Sequence, residues 1–248
     1  MEQTILTLIG KGNETPNDEH LTRDVIENKN PLQLVTVYFH KMLLALLFNK
    51  VAEMKESAEK FTELYSMQPS FLLHSYAIQR TFILGLVSFR VYRETQNELW
   101  MDQAKECREK VQLWREQGCA WNFEHLSFML EAEEHYSLGN FEKAQASYDM
   151  SINSACSHKY LNDEALANEL AANFFRCTSK TIMALQYFTN AHEKYASWGA
   201  CGKANELFLF LQELFEPLLE NVEASNGVQV VDLDAGGTTG NNEKASLD

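Results

Sequence analysis

His125 and His135, with Glu131, Glu133 and Glu134 beside them, supply the donor types of a metal centre. Their spacing argues against one. Ten residues separate the two histidines, which on a helix is about three turns, and there is no HExxH pair at i and i+4. A structural or surface role is expected for them, with no metal and no cofactor. GKGNET near the start is glycine-rich like a phosphate loop, but it lacks the full GxxxxGK[ST] spacing and no buried strand delivers it. Cys119 and Cys201 stand beside small residues at helix ends without a sequence-adjacent base to activate a thiol. Trp100, Trp114, Trp121, Phe123 and Trp198 fall at helical spacing, as core and junction residues do. No catalytic residue is assigned, and the chain is expected not to be an enzyme.

Composition narrows the partners. Asp and Glu outnumber Lys and Arg by 35 to 21, a formal charge of -14, which disfavours nucleic acid and anionic lipid surfaces. Helix formers dominate, 11 Gly and 4 Pro are few for 248 residues, and alternating β-branched runs are absent before the last thirty or so residues. An all-α fold follows. The five cysteines form no CxxC pair and follow no secretory signal, which fits reduced thiols in an intracellular, cytoplasmic protein. LQLVTVYFHKMLLALLF (residues 32–48) is interrupted by Gln33, Thr36, His40 and Lys41 and is short of a span of about 20 apolar residues. A buried core helix is the better reading.

The elements that must position any site are helical hairpins. Asn30-Pro31 opens a helix to about residue 49, and a second covers about 50–67. Gln68-Pro69-Ser70 marks a boundary, after which about 71–93 and 97–117 form the next pair, with Leu99, Trp100, Ala104, Cys107, Val111 and Trp114 as an apolar stripe. Gly139-Asn140 joins 121–138 to 141–156 as antiparallel neighbours. Within this third pair Ala132, His135, Gly139, Ala144 and Tyr148 place small residues at a helix crossing and a ring near its open end. The pattern returns forty residues later as Ala172, Phe175, Ser179, Ala184 and Phe188, and more weakly in the first pair as Ala45, Phe48, Ala52, Ser57 and Phe61. One hairpin cannot bury both of its apolar faces, so such units stack. The expectation is a tetratricopeptide-like solenoid of about four hairpins, closed by a C-terminal capping helix (about 202–221) with Leu207, Phe208, Leu211, Leu214 and Phe215 inside. Residues 1–29 read as a poorly ordered lead-in, 30–221 as the helical repeat domain and 222–248 as a disordered tail.

Four segments carry a family resemblance: VQLWREQGCAWNFEHLSFMLEAE, HYSLGNFEKAQASYDMSI, NDEALANELAANFF and YFTNAHEKYASWGACGKANEL. In this order and spacing, the stretch from about 71 to 218 resembles the helical repeat region of very large multi-sensor signalling kinases. That family joins a Ser/Thr kinase-like domain, a predicted AAA-type ATPase, GAF modules and histidine kinase or cyclase modules. None of those catalytic modules is in this chain, so the resemblance implies a non-catalytic interaction or linker module of a signalling assembly, with a kinase or cyclase as possible partner. Because the family includes histidine kinases, the pair His192-Glu193 defines the alternative, a histidine phosphotransfer protein using His192. Lys194, Tyr195 and Ala196 belong instead to the repeat's own packing pattern.

In tetratricopeptide arrays the first helix of each hairpin lines a concave face. Here that face would present Met129, Glu133, Tyr136, Glu169, Asn173 and Arg176, a mixed polar groove suited to an extended peptide or a partner helix. The lysine and arginine clamp that would capture an acidic C-terminal peptide is not evident along it.

Overall fold

The computed structural model describes residues 2–11, 31–67 and 74–226. Among the described residues there are ten helices and no strand: α1 Glu2–Leu8, α2 Pro31–Leu47, α3 Val51–Met67, α4 His74–Thr95, α5 Glu98–Gln117, α6 Ala120–Ser137, α7 Phe141–Ser157, α8 Leu161–Cys177, α9 Thr181–Trp198 and α10 Cys201–Asn226. The chain divides into two compact units, Met1–Leu209 and Phe210–Asp248. The second holds the C-terminal part of α10; all packing below belongs to the first. The expected cap at Asn30 and the boundary at 68–70 lie outside the described residues, as does 227–248 of the expected tail.

The helices stop for a shared local reason. Asn49, Gly139, Lys159, Ser179 and Gly199 all take left-handed conformations, with φ of 51°, 76°, 62°, 61° and 91°. In each case the next residue's N–H reaches back to a carbonyl five residues earlier: Lys50 to Ala45 at 2.8 Å, Asn140 to His135 at 2.8 Å, Tyr160 to Ala155 at 2.9 Å, Lys180 to Phe175 at 2.9 Å and Ala200 to Tyr195 at 3.0 Å. This closure satisfies carbonyls that a helix end otherwise leaves open. Three of the five positions are not glycine; Asn49 is a residue that tolerates this conformation, whereas Lys159 and Ser179 each bear a backbone cost of roughly 1–2 kcal/mol. The start of α5 is capped differently: the Asn97 side-chain oxygen accepts from the Leu99 N–H at 3.1 Å.

Short links make neighbours antiparallel, and from α2 to α9 each helix packs on the next. In addition α2 meets α4, α4 meets α6 and α6 meets α8. The first helices of the four pairs thus form one inner layer. The forty-residue correspondence has a structural counterpart: Ala132 and Ala172, Ala144 and Ala184, and Tyr148 and Phe188 are all buried, while Gly139 and Ser179 share the left-handed turn position. In the first pair Asn49, not Ala52, occupies that turn, one helical turn earlier than the sequence spacing suggested.

Three placements differ from expectation. α1 is an ordered helix within the expected lead-in, with Leu8 and Thr4 buried. Its end meets the first turn of α10 so closely that a Cβ on Gly202 would stand 2.5 Å from the Thr7 carbonyl oxygen and 2.6 Å from the Gly10 nitrogen. Only a glycine at 202 allows this approach. Leu99 is 74 % exposed rather than part of the α5 stripe, because it sits in the first turn beside the cap, while Trp100, Ala104, Cys107 and Val111 do face inward. Phe208, expected on the inner face of the last helix, is half exposed, whereas Leu207, expected there with it, is buried.

Candidate functional site

The first helices of the pairs line most of an open pocket of about 230 Å³. Helical spacing explains which side chains reach it. On α4, Leu86, Arg90 and Arg93 repeat at i, i+4 and i+7 along one face; on α6 the pair is Glu133 and Tyr136; on α8 Leu166, Glu169, Leu170, Asn173 and Arg176 follow the same period. Leu46 and Asn49 at the end of α2, Met54 on α3 and Cys177 complete the walls. Five of the six residues expected on the concave face are therefore brought together. Met129 is not among them: one turn before Glu133 the α6 face closes into the packed interior, and the side chain is fully buried.

Two carboxylates form the charged floor, and both are nearly inaccessible. Glu133 accepts the Tyr148 hydroxyl at 2.5 Å and Arg93 Nη2 at 2.6 Å. The same guanidinium donates to Ser137 Oγ at 3.0 Å and lies 4.3 Å from the centre of the Tyr136 ring. Glu169 accepts the Tyr195 hydroxyl at 2.8 Å and Lys203 Nζ at 2.7 Å, and Lys203 also donates to Glu206 at 2.8 Å. Each acid thus has one tyrosine and one cation, the compensation that a buried charge requires. Burial first, and then the adjacent carboxylate, pushes the Tyr148 and Tyr195 hydroxyls well above the usual tyrosine range. For Lys203 burial works against the ammonium, but Glu169 and Glu206 overcome it and the pKa is raised. Each oxygen of the two carboxylates thus accepts one hydrogen bond.

The other candidates are dispersed. His125 is buried, with Nε2 3.0 Å from Asp163 Oδ2 and its ring stacked on Tyr160 at 4.4 Å, so it ties α6 to the start of α8. His135 lies 3.7 Å from Glu131, and His192 is half-buried with its ring 5.9 Å from that of Phe208. Among the described residues no three His, Cys, Asp or Glu side chains converge as metal ligands would. Cys119 and Cys201 are exposed, as are Trp121 and Trp198. The Arg90–Arg93 pair was missed in the sequence, although two arginines a turn apart on an otherwise apolar helix are a legible signal. Lys203 was missed because it belongs to the last helix, far from the hairpin it neutralises. No helix among the described residues is long and apolar enough to cross a membrane.

No protein-family model matches the chain, and no solved structure matches it. What the helices and their cavity define is an all-helical protein with a charged internal site. One curated protein, the hybrid signal transduction histidine kinase G of Dictyostelium discoideum, is 31% identical over 106 residues, which cover 43% of this chain and 3% of that protein. The matched stretch relates part of the chain to a region of a signalling kinase. Because the match spans so small a share of the kinase, its activity and partners say nothing direct about this chain.

Proposed function

We propose that the chain is a tetratricopeptide-like solenoid acting in the cytoplasm as a non-catalytic interaction or linker module of a signalling assembly, with a protein or peptide as its partner. The observation that carries this is the cavity itself: first helices of four successive hairpins contribute to one polar recess, and its charged groups are held by structural partners instead of being poised for chemistry. The partial likeness to a signal transduction histidine kinase supports the signalling context. Arg176 is the residue to test, because it is exposed at the rim and takes no part in the ion pairs of Glu133 and Glu169. A pull-down from the source organism is expected to recover a signalling kinase or cyclase with the native chain and to lose it with Arg176→Glu, at unchanged helicity by circular dichroism. A partner retained by Arg176→Glu, or acid-labile phosphate on His192 after incubation with a phosphorylated receiver domain, would overturn it.

A further inference from the structure

Three of the six residues expected to face a partner are not presented to one. Met129, Glu133 and Glu169 are 0, 2 and 6 % exposed, and the pocket between the first helices holds about 230 Å³. One turn of a helix about 10 Å across fills on the order of 400 Å³, and ligand pockets commonly start at about 300 Å³. A partner helix therefore does not fit the inner face as it stands. What narrows that face is a meeting of the two ends of the stack. Leu46, Asn49 and Met54 of the first pair and Leu166, Glu169 and Leu170 of the fourth line the same pocket. The Lys203 ammonium at the start of α10 lies 5.5 Å from the centre of the Phe48 ring, just past the end of α2. Beside it, Gly202 meets the end of α1 at backbone contact.

The strength of these contacts decides where the two ends would part. Lys203 holds Glu169 at 2.7 Å and Glu206 at 2.8 Å, and the Tyr195 hydroxyl donates to Glu169 at 2.8 Å. All four residues belong to α8, α9 and α10, and breaking the group strands a buried charge, a large cost. The contacts that cross to the N-terminal side are of a weaker kind, a cation over a ring face and the approach of α1 to Gly202. Among the described residues the substantial helix packings run from each helix to the next and along α2, α4, α6 and α8, and none joins the first pair directly to the fourth. We propose that α1 is an autoinhibitory clasp: by gripping the first turn of α10 it holds the first and fourth pairs together over the inner face, and a partner helix enters between them only when α1 lets go. Opening breaks no buried ion pair, because Lys203 leaves with Glu169. The proposal rests on the interaction-module reading and supplies its regulation.

The test puts a reporter on the pocket wall, Leu166→Cys, at a position 6 % exposed, and follows its labelling by a bulky maleimide, with peptide mapping to separate it from the five native cysteines. In that parent chain Leu8→Ala weakens α1 from its buried side, and Gly202→Ala drives α1 and α10 apart. Val111→Ala lowers stability from the buried stripe of α5, which packs on α4 and α6. Rates are compared at equal global stability, set with urea. Leu8→Ala and Gly202→Ala are expected to label at least about fivefold faster than the parent, and Val111→Ala at the parent rate. Equal rates throughout, or equal acceleration by Val111→Ala, would overturn the clasp; should Gly202→Ala fail to fold, Leu8→Ala decides alone. In the pull-down, Leu8→Ala with Leu166 restored should recover the kinase or cyclase at least about fivefold better than the native chain. Faster labelling without that gain removes the inhibitory role. Recovery by neither chain removes the module reading, while the labelling rates still decide whether the clasp exists.

Discussion

Replacing Lys203 by methionine tests the charged floor most directly. The ammonium is 1 % exposed and sits 2.7 Å from Glu169 and 2.8 Å from Glu206. Its removal leaves Glu169 buried with only the Tyr195 hydroxyl, an uncompensated charge that costs about 3–5 kcal/mol. That is about a fifth or more of a typical domain's stability and, in a unit of this size, lowers Tm by roughly 6–20 °C. The reverse change is milder: Glu169→Gln leaves Lys203 with Glu206, so about 1–3 kcal/mol is expected. Lys203→Met combined with Glu169→Leu should lose less than the sum of the single changes, because neither charge is then stranded. The pH dependence follows from direction. Both Lys203 and Tyr195 have raised pKa values in the folded chain, so their contribution is complete below the ordinary values of about 10.4 and 10 and is lost as pH rises through the folded ones. Lys203→Met should therefore flatten, without abolishing, the alkaline fall in stability. The assays are urea unfolding at pH 7 and a series of melts up to pH 11. A loss below about 1 kcal/mol for Lys203→Met, the size of an exposed pair such as Lys110–Glu106, would refute the reasoning.

Gly202→Ala would drive a methyl group into the backbone of Thr7 and Gly10, so α1 should separate from the start of α10 at a cost of about 1–3 kcal/mol. Hydrogen exchange would show faster exchange of the Glu2–Leu8 amides, and unchanged protection there would count against the contact. His40 has its pKa lowered to about 4 by burial first and then by nearby positive charge, Arg80 included. Its neutral form is favoured in the fold, so stability is present above the ordinary value near 6.5 and lost as pH falls towards 4; since the ring is only partly buried, His40→Gln should reduce that acid-side loss by about 1 kcal/mol. Urea midpoints between pH 7 and pH 4 measure it, and an unaltered slope would contradict it.

What could be read from the sequence was what local periodicity encodes. The helix boundaries of α5, α7 and α9 follow from Asn97, from Gly139-Asn140 and from Gly199, because caps and left-handed turns act within a few residues. Lys159 and Ser179 occupy the same left-handed position without a glycine to announce it, so those ends carry no comparable signal. The inner face was partly legible for the same reason: Glu133 and Tyr136, and Glu169, Asn173 and Arg176, each share one side of one helix. Its polarity was not. No basic clamp is legible along the helices that carry Glu133 and Glu169, because the counter-charges come from elsewhere, Arg93 forty residues before Glu133 and Lys203 thirty-four after Glu169. A carboxylate among apolar neighbours on a helix is an unpaired cost until the fold supplies its cation. Glu133 and Glu169, each at a position its helix period turns inward, are therefore demands for distant partners. The basic residues that could meet such a demand are those on otherwise apolar stretches, and Arg90 and Arg93 on α4 and Lys203 at the start of α10 fit that description.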